Sequence, residues 1–312
     1  MSVSTEFWAL FAALIVTMLV LDLGVFHRRA HEVSVKEALL WSAVWVSLAL
    51  AFGAAIHHVY GPPAALAYLT GYLIEKSLSV DNLFVIVTIF SYFGVPSRYQ
   101  HRVLFWGILG ALVMRGAFIA LGTMLIAAVH WVIYVFGALL AITGVRMALR
   151  EETPFDGERN VVVRLVRRVF PVSSEYQGQR FIARVDARWV ITPLLLALVM
   201  VEVTDLLFAL DSIPAIFAVT TDPFLVYTSN IFAILGLRSL YFALAGAVTR
   251  LRLLKFGLAA ILVFVGVKML LSEIVAIPIG LSLGVVGGIL LATVIASLVA
   301  TRRDARRAGP SA

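Results

Sequence analysis

Long apolar runs, each closed by a short polar or Pro/Gly-containing turn, fill most of the chain: 7–26, 37–58, 64–93, 103–126, 130–149, 191–219, 224–247, 254–273 and 279–300. A helix needs about 20 residues to cross a ~30 Å hydrocarbon core. The pattern therefore predicts an all-α polytopic membrane protein with nine transmembrane helices. One stretch departs from it. Residues 150–190 are polar and rich in arginine, and within them Val161 to Phe170 mixes apolar and arginine positions. That mixture suits either an interfacial helix on anionic lipid or a solvated basic connector. Arg180 to Trp189 alternates well enough for a short strand or hairpin.

The apolar runs contain charges, and the charges repeat. Glu75 and Asp81 stand six residues apart in the third run, and Asp205 and Asp211 stand six apart in the sixth. Met114-Arg115 in the fourth run matches Leu237-Arg238 in the seventh. Gly144-Val145-Arg146-Met147 in the fifth matches Gly266-Val267-Lys268-Met269 in the eighth. The interval from Arg115 to Arg146 is 31 residues and that from Arg238 to Lys268 is 30. Each unit holds three spans, an odd number, so the second enters the bilayer from the opposite face. The expectation is a single membrane domain over 1–312, with inverted repeats at 64–149 and 191–275 joined by the basic loop 150–190 and flanked by further helices. Inverted pairs of this kind characterise secondary transporters, whose site lies near the midplane where the repeats meet.

Composition agrees with a bilayer setting: 62% of residues are hydrophobic, 14% are charged and the mean hydropathy is +1.00. The net charge of +7 raises the question of nucleic acid, but position answers it. Of the 25 Lys and Arg residues, 20 follow the first, third, fifth, seventh and ninth runs, and loops such as 57–63 and 220–223 have none. By the positive-inside rule the N-terminus lies outside and the C-terminus in the cytoplasm, as expected for an inner (cell) membrane protein. The basic excess is topological, and no nucleic-acid partner is expected.

An ionised group at the bilayer centre costs roughly 2.5–3.5 kcal/mol or more, so intramembrane charges need a reason to be there. Six acids (Asp22, Glu75, Asp81, Glu202, Asp205, Asp211) face five bases (Lys76, Arg115, Arg146, Arg238, Lys268), leaving one negative charge over. The bases read as counter-ions to some of these acids, which leaves the others as candidate ligands for a cation. Asn82, Ser79, Asp22 and the carbonyl of Leu210, freed because Pro214 lacks an N–H, are possible supporting ligands. Asp205 and Asp211 would lie about 120° apart on an unbroken helix. The sequence has no cysteine, so thiolate sites are excluded, and oxygen donors suit hard divalent cations such as Mg²⁺, Ca²⁺ or Mn²⁺. Protons, carried by the same carboxylates, are a second possible cargo. No nucleotide-binding loop or catalytic constellation is present, so neither enzymatic activity nor a resident cofactor is expected.

The phrases Glu75-Lys76-Ser77-Leu78-Ser79-Val80-Asp81-Asn82, Tyr99-Gln100-His101-Arg102-Val103-Leu104-Phe105-Trp106-Gly107, Glu202-Val203-Thr204-Asp205 through Pro214, and Thr228-Ser229-Asn230 through Arg238 resemble the TerC family of integral membrane proteins. Asp22-Leu23-Gly24 with Arg28 fits the family's first helix. The resemblance covers nearly the whole chain and implies Mn²⁺ export, with the acids of the third and sixth spans, here Glu75, Asp81, Glu202, Asp205 and Asp211, as the metal ligands. Two rival readings stay open: an anion or tellurium-oxyanion carrier using Arg115, Arg238 and Lys268, and a non-transporting membrane scaffold for a metal-stress or tellurium-resistance complex. Tellurite is an anion and would want cationic ligands, which disfavours it at a carboxylate site.

Overall fold

The computed structural model describes residues 5–24, 34–129, 131–149, 156–158, 160–173, 175–185, 188–244, 253–275 and 277–307. Its helices are α1 (Thr5–Gly24), α2 (Val35–Tyr60), α3 (Pro62–Phe93), α4 (Ser97–Ala128), α5 (Val132–Leu149), α6 (Val161–Val169), α7 (Pro193–Phe217), α8 (Pro223–Leu235), α9 (Leu237–Leu244), α10 (Leu254–Leu270) and α11 (Ile279–Arg307). Two four-residue strands, β1 (Ile182–Val185) and β2 (Arg188–Ile191), pair antiparallel with Arg184 opposite Trp189. This is the hairpin expected near 180–189.

Turn chemistry sets the boundaries. Gly61, at φ +83°, takes the chain from α2 into α3, whose first positions are Pro62 and Pro63, where missing N–H groups cost nothing. Gly94 in the left-handed region closes α3, and the Val95 N–H returns to the carbonyl of Phe90 at 2.9 Å. Ser34, Asn160 and Asp222 cap α2, α6 and α8 by accepting from N–H groups two or three residues on.

Among the described residues, six helical segments are long and apolar enough to cross a membrane: α2, α4, α5, α7, the α8–α9 pair and α11. The fold is thus that of an all-α membrane protein. The predicted run 224–247 is two helices, broken at Gly236. The third predicted run, α3, is not among the six and carries Glu75, Lys76 and Asp81.

α3 is the central element, packed on α7, α8, α2 and α11, while α7 packs on α4 and α5 lies along α10. Glycines bring the last pair together. A Cβ on Gly266 of α10 would stand 2.6 Å from the carbonyl of Gly137, and one on Gly144 of α5 would stand 2.7 Å from that of Ala259. Only glycine permits such backbone approach, the usual device of helix packing in lipid. Outward-facing positions such as Val113, Leu121, Leu210 and Leu291 are exposed and apolar, as a lipid-facing surface requires.

The segment between α5 and α7 is tied to the bundle. Val163 of α6 is buried with Leu83, Ile86, Leu194 and Met200. The Tyr176 hydroxyl donates to the carbonyl of Phe93 at 2.8 Å, and its burial pushes its pKa up to about 12, so it keeps its proton at physiological pH.

A buried carboxylate–guanidinium cluster

Among the described residues, the largest fully buried side chain is a cation. Arg115 of α4 is 1% exposed, and all three nitrogens of its planar fork donate. Nε donates to Asp205 Oδ2 at 3.1 Å and Nη2 to Asp205 Oδ1 at 2.8 Å, a bidentate pairing. Nη1 donates to Glu75 Oε1, to Asn230 Oδ1 at 3.1 Å and to Ser212 Oγ at 3.4 Å. Asn230 Nδ2 donates to the other oxygen of Glu75 at 3.0 Å, and Asn82 Nδ2 donates to Asp205 Oδ1 at 3.3 Å. Four helices, α3, α4, α7 and α8, thus converge on one guanidinium.

Local sequence explains the convergence. Thr228, Ser229 and Asn230 are completely buried in α8, where the two hydroxyls bond back to their own helix and leave Asn230 to face α3 and α4. Gly71, one turn before Glu75, lets α8 approach: a Cβ there would lie 2.8 Å from Ser229 Oγ. Asn230 and Ser212 carry no role in the reading of the sequence alone. The polar triplet 228–230 inside an apolar run was the signal available.

The five predicted ligands do not form one shell. Among the described residues, no group of three or more His, Asp or Glu side chains is placed to hold a metal ion. Glu75 and Asp205 meet through Arg115. Asp211, two turns on from Asp205, turns to Thr143 of α5, because α7 stays helical through Pro214 and keeps the two acids on different faces. The side chain of Leu210 is exposed, while its carbonyl receives no N–H from Pro214, which lies inside α7. Asn82, next to Asp81 on α3, reaches Asp205. Ser79 is buried, with a hydroxyl that has no partner among the described residues. Asp22 lies in α1, but its side chain is outside the described residues.

Glu202 sits one turn before Asp205 with its carboxyl against Gly110 of α4, and its buried Oε2 has no hydrogen-bond partner among the described residues. Any Cβ at position 110 would overlap that carboxyl. Gly110→Ala should therefore cost about 1–3 kcal/mol by overpacking, and Gly110→Ala/Glu202→Ala should recover it, as read by thermal unfolding in detergent. Beside Asp205 a cavity of about 20 Å³ is lined by Asn82, Thr204, Asp205, Arg238 and apolar side chains, room for one water-sized occupant.

The predicted counter-ions divide. Arg115 is one. Arg146 is exposed in the last turn of α5 rather than buried, a favourable place for a cation because of the helix dipole. Lys268 donates to Ser282 Oγ at 2.9 Å, a hydroxyl rather than an acid, and borders a cavity of about 210 Å³. Lys76 donates to the carbonyl of Ala233 at 3.1 Å, which the break at Gly236 deprives of a regular helical partner; a Cβ at 236 would stand 2.8 Å from its ammonium. Arg238 is buried and lines the smaller cavity.

The chain is similar over nearly all of its length to known membrane proteins. It is 56% identical to the membrane protein STKORF319 of Myxococcus xanthus over 299 residues, covering 96% of this chain and 94% of that one. It is 49% identical to Alx of Escherichia coli K12, described as a candidate membrane-bound redox modulator, with 97% of each chain covered. A Rickettsia bellii membrane protein is 40% identical over 94% of this chain and 97% of its own. No solved structure matches. The profile of the integral membrane protein TerC family matches residues 60–305, a span that holds the whole Arg115 cluster, and the chain belongs to that family.

Proposed function

We propose that the chain is a secondary transporter of a hard divalent cation, Mn²⁺ first among them, and that Glu75 and Asp205 are the pair the ion binds when Arg115 withdraws. One observation carries this: a single buried guanidinium bridges one acid from each of the two matching segments. Two carboxylates against one guanidinium leave the cluster one negative charge, which favours a divalent ion over a monovalent one as replacement. In this account Arg115 is a tethered cation that keeps the ion-free site neutralised and the two halves joined. Glu202 and the cavity beside Asp205 lie within a turn of the pair. Asp81 and Asp211, on other faces, serve the path rather than the central pair. Protons are the proposed counter-cargo.

The packing supports the inverted-repeat part of the reading. Exchanging α3, α4, α5 with α7, α8–α9, α10 maps the α3–α8 contact onto α7–α4 and leaves α3–α7 and α5–α10 unchanged. It also maps Gly144 against Ala259 onto Gly266 against Gly137. The same reading counts nine spans by taking α1, α3 and α10 as membrane-crossing, with the N-terminus outside and the basic loop in the cytoplasm of an inner-membrane protein.

An oxyanion carrier gains less support, because Arg115 spends its fork on two carboxylates and has no cationic face to offer. The redox description attached to the Escherichia coli relative is compatible with ion transport: with no cysteine in the sequence, thiol chemistry by this chain cannot carry it, and a redox effect would follow from the ion moved. The test is flux in proteoliposomes. Purified protein should release trapped Mn²⁺ faster than empty vesicles, with no matching flux of tellurite. Tellurite flux without Mn²⁺ flux would favour the anion reading, and no flux of either ion the scaffold reading.

A further inference from the structure

Helix α6 has more apolar surface than the protein covers. At about 100° per residue, Val161, Val162, Val163, Leu165, Val166 and Val169 fill one arc of roughly 200°, and Arg164, Arg167 and Arg168 fill the remainder. The protein covers only half of the apolar arc: Val163 is buried and Val162 and Val166 are partly so. Val161, Leu165 and Val169 on the other half are 68%, 59% and 61% exposed, and that half adjoins Arg168 and Arg164. None of the three arginines pairs with an acid among the described residues.

The neighbouring hairpin continues the pattern. Ile182 and Trp189 are 52% and 69% exposed, Phe170 at the end of α6 is 52% exposed, and Arg188 is exposed on β2. The unit is held at the end of the bundle where α3 stops and α7 starts. Tyr176 donates to the carbonyl of Phe93, Arg102 Nη1 to Gln179 at 3.5 Å, and Thr192 Oγ1 to the carbonyl of Arg180 at 2.7 Å. An uncovered apolar strip edged by arginines on α6, and an exposed tryptophan on the hairpin that follows it in the chain, match the boundary between acyl chains and anionic headgroups.

We infer that α6 and the β1–β2 hairpin form a docking surface for anionic phospholipid in the leaflet they lie against. The apolar strip enters the acyl boundary and the arginines hold headgroup phosphates. A neutral surface would satisfy only the strip, and a soluble acidic partner would leave Leu165 and its neighbours without an apolar phase. The unit is tied to α3 and α4, so the lipid contact acts on the same helices that carry Glu75 and Arg115.

The absence of cysteine from the sequence makes the test clean, because Leu165→Cys in the full chain takes a single environment-sensitive fluorophore. The labelled protein is reconstituted into phosphatidylcholine vesicles with and without phosphatidylglycerol. The expected result is a blue shift of the label and quenching by doxyl-labelled lipid in the anionic vesicles, both lost when Arg164, Arg167 and Arg168 are all changed to Gln. Each labelled protein must elute at the native position in size exclusion before it is compared. A label that stays water-like in both vesicles overturns the inference and leaves a solvated connector. Equal shifts in both vesicles, or an unchanged response in the triple variant, overturn the role of anionic lipid. A response in native membranes that is absent from purified proteoliposomes assigns the surface to a protein partner instead.

Discussion

Replacing Arg115 with Leu is expected to cost the protein about 3–5 kcal/mol, because it removes one partner of a buried ion pair and leaves two carboxylates without compensation. The loss should appear as a large fall in thermal stability in detergent and in the yield of folded protein. Arg115→Lys should recover only part of it. A lysine is a point charge with three donors, whereas Arg115 spends a planar fork on Asp205 through two nitrogens and serves Glu75, Asn230 and Ser212 with one more. The variant Arg115→Leu/Glu75→Gln/Asp205→Asn should regain most of the stability, since neutral groups carry no unpaired charge into the core. It should transport nothing. A triple variant as unstable as Arg115→Leu would show that packing around the guanidinium matters more than its charge.

The second large effect is on transport with the fold kept. Glu75→Gln and Asp205→Asn preserve shape, and each leaves Arg115 one carboxylate, so the stability cost should stay near the 1.5–3 kcal/mol of a charged hydrogen bond. Flux of the divalent ion should fall by more than about 100-fold in either variant. Asn82→Ala, which only takes a donor away from Asp205, should fall by about 10–100-fold, the usual effect of removing a supporting partner. Asp211→Asn should cost less than Asp205→Asn, because Asp211 faces Thr143 on α5 and not the Arg115 cluster. An ordering with Asp211 above Asp205 would move the ion site toward α5. These rates are read in proteoliposomes at matched protein content, so expression differences do not enter.

Much of this arrangement can be read from the chain because lipid makes charge conspicuous. Arg115, Glu75 and Asp205 stand out in apolar runs as charges that need partners, and the structure pairs them with one another. Because α7 continues as a helix through Pro214, Asp205 and Asp211 keep the angular separation of an unbroken helix. Spacing along one helix says nothing, however, about which neighbouring helix an acid meets. Pairing six acids with five bases requires knowing that α4 lies against α7 and α8 against α3. The break at Gly236 was illegible for a similar reason: a glycine inside an apolar run usually serves packing, and only the ammonium of Lys76 on the Ala233 carbonyl gives this one its purpose. Arg146 lies inside its span, since α5 runs to Leu149, but the sequence does not say which way it faces, and in α5 it is exposed in the last turn. Asn230 escaped notice because asparagine bears no charge, yet it binds both Arg115 and Glu75.

The cluster also explains why its acids can sit so deep. Both oxygens of Glu75 and both of Asp205 receive donors, so the desolvation cost of two anions is offset within the protein. Under the proposed function, an ion that displaced Arg115 would inherit this set of oxygen ligands, and the guanidinium would have to find other acceptors. Glu202, one turn from Asp205 and with an oxygen that accepts no hydrogen bond among the described residues, is the nearest carboxylate on the same face of α7.

The exchange of a tethered cation for a free one is tested most directly by equilibrium Mn²⁺ binding, followed as the loss of the free-ion electron paramagnetic resonance signal on titration with purified protein. The account predicts saturable binding to the native chain that disappears in Glu75→Gln/Asp205→Asn and tightens in Arg115→Gln, where the competing guanidinium is gone. Binding of equal strength in the native chain and in the Glu75→Gln/Asp205→Asn variant would contradict it.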